Sequence, residues 1–123
     1  MLDHVTIGVS DFERSKAFYD RALSALGIVR LYGDGEQFAG YGIRPKAFFW
    51  IGMRGAVQTG AHIAFTAADH ATVDRFYADA IKAGAKDNGA PGLRPNYHAH
   101  YYGTFVLDSD GHNIEAVCHL PQG

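Results

Sequence analysis

Cysteine is almost missing from this chain: Cys118 stands alone, so no disulfide can form within it, in keeping with a reducing compartment. Long apolar runs are missing as well. No stretch approaches the roughly 18 apolar residues that span a bilayer. The opening Met1-Leu2-Asp3-His4 runs straight into a strand pattern, without the basic and apolar regions of a secretion signal. A cytoplasmic protein with no membrane partner is expected. An excess of positive charge is also lacking: 11 Lys and Arg stand against 13 Asp and Glu, for a net charge of −2. The basic residues are scattered and form no stripe that would neutralise a phosphate backbone, which excludes nucleic acid as the expected partner. What is present suits a globular fold: 47% hydrophobic and 20% charged residues over 123 positions fit one compact domain, residues 1–123, and leave no room for a second.

The chain repeats itself at an offset of 58 residues. His4 falls on His62, Asp11 on Asp69, Phe18 on Phe76, Tyr19 on Tyr77, Ala22 on Ala80 and Ala25 on Ala83, while Val5/Ile63, Ile7/Phe65 and Leu23/Ile81 keep apolar character. Two modules follow, about 1–56 and 57–123. Each opens with a segment of period two, His4-Val5-Thr6-Ile7-Gly8-Val9 and His62-Ile63-Ala64-Phe65-Thr66, in which the histidine lies opposite the apolar face. A helical pattern comes next, with Phe18, Ala22, Ala25 and Leu26 on one side in the first module and Val73, Phe76, Tyr77 and Ala80 in the second. Ser10 with Glu13 reads as a capping box, Asp11 and Asp69 suit a helix N-terminus, and Gly27 and Gly84 stand where the helices should stop. Strands are then expected at about 28–32, 36–42 and 46–53, and again at 85–89, 101–107 and 113–118, with 88–100 a long loop of the kind that borders binding sites. The expected fold is α+β: two tandem βαβββ modules forming a cupped mixed sheet with the helices outside.

Three residues stand out as ligands: His4 on the first strand, His62 at the matching place, and Glu115 on the last strand, whose pattern puts Asn113, Glu115 and Val117 on one face. Two imidazoles and one carboxylate suit an open site for a divalent Fe, Mn, Ni, Co or Zn ion. Close by in sequence, Asn96-Tyr97-His98-Ala99-His100-Tyr101-Tyr102 offers proton-transfer candidates in His98, His100 and Tyr102, and rings in Tyr97 and Tyr101 that could stack on a planar ligand. The plainer alternative has the two tyrosines packing on opposite sheet faces and the histidines in solvent. Trp50 and Phe48 either line the concavity as substrate contacts or belong to the core. Asp108-Ser109-Asp110-Gly111 reads as a turn, and Arg94 and Lys46 as solvated charges.

The His-Val-Thr-Ile-Gly-Val-x-Asp opening, Ser15-Lys16-Ala17-Phe18-Tyr19, the second His-Ile-Ala-Phe strand and the run from Phe105 to Glu115 together resemble the vicinal oxygen chelate superfamily of glyoxalases, bleomycin-resistance proteins and extradiol dioxygenases. The resemblance covers nearly the whole chain. It implies that His4, His62 and Glu115 take the superfamily's metal-ligand places, and that the chain forms a homodimer, often with first-strand ligands meeting second-module ligands across the interface. Glyoxalase I typically adds a carboxylate from the fourth strand of the first module, where this chain reads Ala47-Phe48-Phe49-Trp50-Ile51-Gly52-Met53. That departure leaves the three-ligand pattern of the dioxygenase-like and fosfomycin-modifying relatives. The expected function is metal-dependent lyase, isomerase or dioxygenase chemistry on a small oxygen-rich substrate. The alternative is a non-catalytic protein that binds a small molecule or antibiotic.

Overall fold

A computed structural model describes residues 1–33, 37–53 and 59–121. The first module runs β1 (Val5–Gly8), α1 (Phe12–Ala22), a 3-10 turn (Leu23–Leu26), β2 (Val29–Tyr32), β3 (Phe38–Ile43) and β4 (Lys46–Gly52). The second runs β5 (His62–Thr66), α2 (His70–Lys82), β6 (Lys86–Asp87), β7 (Gly92–Leu93), β8 (Tyr102–Leu107) and β9 (Asn113–Cys118). One sheet has the order β1-β4-β3-β2; the other has β5-β9-β8-β6, with β7 also paired to β8. In each sheet the module's first strand lies parallel to its last, β1 beside β4 and β5 beside β9, and the remaining neighbours are antiparallel. These are two mixed sheets with two helices, the α+β architecture expected from the repeat, and neither sheet closes into a barrel.

The repeated aspartates explain the helix starts. Asp11 accepts the backbone N–H of Arg14 at 3.1 Å and Asp69 that of Thr72 at 2.8 Å, each satisfying an amide that the helix itself leaves open. The capping box expected from Ser10 and Glu13 does not form, because Asp11 takes the capping position and the Ser10 N–H turns instead to the Asp110 carboxylate, 3.2 Å away. Gly27 ends the 3-10 turn at φ 76°, a left-handed conformation that side chains disfavour. The strand expected at 85–89 shrinks to Lys86–Asp87, and the stretch read as one long loop contains the extra strand β7. Position 36, where β3 was expected to begin, and the module boundary near 56 lie outside the described residues.

Alternation along β4 sends Ala47, Phe49 and Ile51 toward the helices and Phe48 and Trp50 to the opposite face. Phe49 is fully buried, with its ring 5.1 Å from Tyr19 on α1, 6.2 Å from Tyr41 on β3 and 5.3 Å from Phe65 on β5, so one side chain joins both modules. His112 makes a second link. Its Nδ1 accepts the Ala61 N–H at 3.2 Å and its Nε2 donates to the Gly8 carbonyl at 3.1 Å, which fixes a neutral tautomer between the end of β1 and the start of the second sheet.

Tyr19 donates to Asp108 at 2.5 Å and Tyr41 to Asp20 at 2.9 Å. Burial first, and the facing carboxylate second, hold both phenols above their ordinary value of 10. The folded chain therefore keeps protons that the unfolded chain releases above about pH 10. Stability from these groups is complete below that value and falls as pH rises through it. Urea midpoints measured between pH 8 and 11 are expected to drop above about pH 10, and Tyr41→Phe is expected to flatten the drop.

Candidate metal centre

Glu115 sits on β9 directly opposite Ala64 of β5 and Phe105 of β8, on the sheet face turned away from α2. Only 1% of it is exposed. One carboxylate oxygen faces His62 Nε2 at 2.9 Å, and the other accepts the Tyr101 hydroxyl. Two ligands bound at about 2.1 Å in neighbouring positions around an ion lie about 3 Å apart, so His62 and Glu115 are spaced as two ligands of one ion, which would take the place of the hydrogen bond between them. Burial of the Tyr101 ring and its bond to Glu115 raise the phenol well above its ordinary range, which keeps it a neutral donor.

His4 lies just before β1, in the concavity of the other sheet. Its Nδ1 donates to Asp3 at 2.7 Å, and the same Asp3 oxygen accepts Lys46 Nζ at 2.6 Å. Lys46 first, then His4, lower the Asp3 carboxyl below its usual value. Lys46 is thus the outer partner of a carboxylate that orients an imidazole, and the His4 Nε2 is left to face a ligand. Among the described residues of one chain, no three His, Cys, Asp or Glu side chains gather closely enough to hold an ion. The chain unites His62 with Glu115 and leaves His4 apart.

Trp50 explains the difference between the two sheets. It pairs with Thr6 across β4 and β1 as Glu115 pairs with Ala64 across β9 and β5, and Thr6 and Ala64 are equivalent in the repeat. An indole therefore occupies the place in the first module that the carboxylate holds in the second. The row continues through Gly40 to Tyr32. A Cβ at Gly40 would come within 2.7 Å of the indole, so glycine lets Trp50 lie flat across β3 toward Tyr32, its near-parallel neighbour at 5.5 Å. Trp50, with Phe38 and Met53, lines a cavity of about 480 Å³ that His4 and Thr6 also border. Phe48 shares that sheet face with Trp50 but lines a second hollow, about 400 Å³, between β1 and β5.

The adjacent tyrosines separate. Tyr101 reaches Glu115, while Tyr102, paired with Cys118, turns toward α2, donates to Asp74 at 2.6 Å and stacks on His70 at 3.9 Å. Burial and Asp74 push its phenol up to about 12. His98 and His100 are exposed; His98 Nε2 meets His119 Nδ1 at 2.9 Å, and His98 Nδ1 accepts the His100 N–H. The His98 and His119 rings pack edge-on against Tyr101, as does Tyr97 at 4.8 Å. These rings back the tyrosine that holds Glu115. The pairing of Tyr101 with Glu115 went unread in sequence, because two neighbouring tyrosines give no signal of which one faces the cup.

Comparison with known proteins agrees with this architecture. The family model of the Glyoxalase/Bleomycin resistance protein/Dioxygenase superfamily matches residues 1–116, and the chain belongs to that superfamily. A glyoxalase/bleomycin resistance protein from Albidiferax ferrireducens T118 is 30% identical, with a TM-score of 0.82 over 98% of this chain and 99% of that one. The genomically encoded fosfomycin resistance protein FosX from Listeria monocytogenes, 19% identical, superposes with a TM-score of 0.70 over 98% and 93% of the two chains. Lactoylglutathione lyase from Agrobacterium tumefaciens, 17% identical, gives 0.69 over 96% and 92%. No curated protein matches the chain. Among the described residues no helix is long and apolar enough to cross a membrane.

Proposed function

We propose that the protein is a divalent-metal-dependent enzyme acting on a small oxygen-rich substrate by lyase, isomerase or dioxygenase chemistry. The observation that carries this reading is the buried Glu115 carboxylate converging with Nε2 of the exposed His62 at 2.9 Å. His62 and Glu115 of one copy and His4 of a second copy would hold the ion, in a symmetric homodimer with two equivalent sites. A bound divalent ion supplies Lewis acidity to neighbouring substrate oxygens. Tyr101 keeps one Glu115 oxygen engaged and carries a proton at the edge of the site. Its role is to position Glu115; of the groups the sequence offered for proton handling, His98 packs on Tyr101 with His100 next to it, and Tyr102 turns away to Asp74. Trp50, Tyr97 and Tyr101 would supply apolar surface around the substrate, whereas Phe48 lines the separate hollow between β1 and β5.

A second reading, a non-catalytic protein that binds a small molecule, draws support from the aromatic row of Trp50 and Tyr32. Metal content separates the two. Protein purified without an affinity tag is expected to hold about one Mn, Fe, Co, Ni or Zn ion per chain by mass spectrometry, and His62→Ala to lose at least about ten-fold in occupancy. Wild type that stays metal-free after incubation with each ion would transfer the assignment to the binding protein. A monomer in sedimentation that still carries its metal would defeat the shared site.

A further inference from the structure

We infer that Arg94 forms an oxyanion subsite on the second module's sheet beside Phe105, taking the carboxylate or phosphate group of a ligand bound next to His62. The subsite rests on that sheet face being the substrate site, but not on the metal.

Lys16 pairs with Glu13, Arg30 with Asp20 and Lys46 with Asp3. Arg94 has no carboxylate partner among the described residues, although it is only partly exposed. Its guanidinium is nevertheless fixed. Nη1 donates to the Gly92 carbonyl at 3.0 Å, Nη2 donates to the Ala90 carbonyl at 2.8 Å, and the group lies 5.4 Å from the centre of the Phe105 ring. The backbone is shaped around it: a Cβ at Gly89 would stand 3.1 Å from Nη2 and 3.0 Å from Phe105, and one at Gly92 would stand 3.2 Å from Nη1. Gly89 also has φ 148°, which other residues rarely adopt.

Phe105 is the cross-strand neighbour of Glu115, and its ring is 6.1 Å from that of His62, so the guanidinium and the candidate centre flank one ring. The one acid there, Glu115, is already engaged by His62 and Tyr101. Arg94 thus keeps its full charge and spare N–H groups in a fork that fits an oxyanion. In a chain of net charge −2, such a fixed cation is the feature that would draw an anionic ligand to this face.

The test uses metal-free protein, so that no ion can bind the probe. Titration with inorganic phosphate and with benzoate, followed through the Arg94 Nε–H signal in NMR spectra, is expected to give saturable shifts, and neutral benzamide none. Arg94→Ala should weaken phosphate binding by about ten-fold or more, measured calorimetrically, and Arg94→Lys by less, because charge remains while the fork is lost. Glu115→Gln, which removes both a metal ligand and a neighbouring negative charge, should bind phosphate as tightly or more tightly. Anion binding with no metal uptake by wild type would sustain the subsite and remove the metal reading. An unshifted Arg94 signal, equal shifts from benzamide, or unchanged phosphate affinity in the folded Arg94→Lys and Arg94→Ala proteins would overturn it.

Discussion

Two variants that each fail to hold a metal ion, His4→Ala and Glu115→Ala, are expected to regain binding when their subunits are exchanged. In a symmetric dimer with shared sites, each mixed dimer carries one broken site and one intact one. The intact site draws His4 from one protomer and His62 with Glu115 from the other. Random exchange of equal amounts makes about half the dimers mixed, so about a quarter of all sites should refill. Metal analysis after exchange and desalting measures this directly. The pair His62→Ala and Glu115→Ala should regain nothing, since both ligands belong to the same half of the site. Recovery in that second mixture, or none in the first once exchange has been verified, would contradict the shared arrangement.

Phe49→Ala is expected to cost about 3–5 kcal/mol in unfolding free energy, the range for removing a buried aromatic ring. Against a total of about 5–15 kcal/mol for a typical domain, that change leaves the chain marginal. The effect should be large because Phe49 is fully buried and touches Tyr19, Tyr41 and Phe65 at once. Its contact with Phe65 crosses from the first module to the second, so the variant should also unfold over a broader range of urea. A loss below about 1 kcal/mol would show that the core is not organised around this ring.

The sequence disclosed the duplication, and with it the element order, because helix starts and first strands carry strong local signals. Asp11 and Asp69 cap equivalent helices, and His62 and Glu115 meet on adjacent parallel strands as their alternation implied. The rest depends on pairing between distant segments. Strands of two residues, β6 and β7, are too short to show a period of two. Tyr102 was favoured over Tyr101 for proton transfer, but only the register that sets Tyr102 beside Cys118 decides which ring enters the cup. Arg94 looks like an ordinary surface charge in the sequence because, although the Gly92 and Ala90 carbonyls that hold it are close by in the chain, the Phe105 ring beneath it is brought there by β8. The identity of position 50 was visible, yet its equivalence to position 115 appears only in the cross-strand register.

That equivalence has an evolutionary consequence. A duplicated chain that keeps a carboxylate in one copy and places an indole in the other has separated two burdens that a symmetric ancestor would carry together. Changes around Trp50, Gly40 and Tyr32 can reshape what the pocket accepts without touching His62 or Glu115, while changes near Glu115 leave the aromatic floor in place. The aromatic row of the first half can then drift while His62 and Glu115 of the second half stay in place.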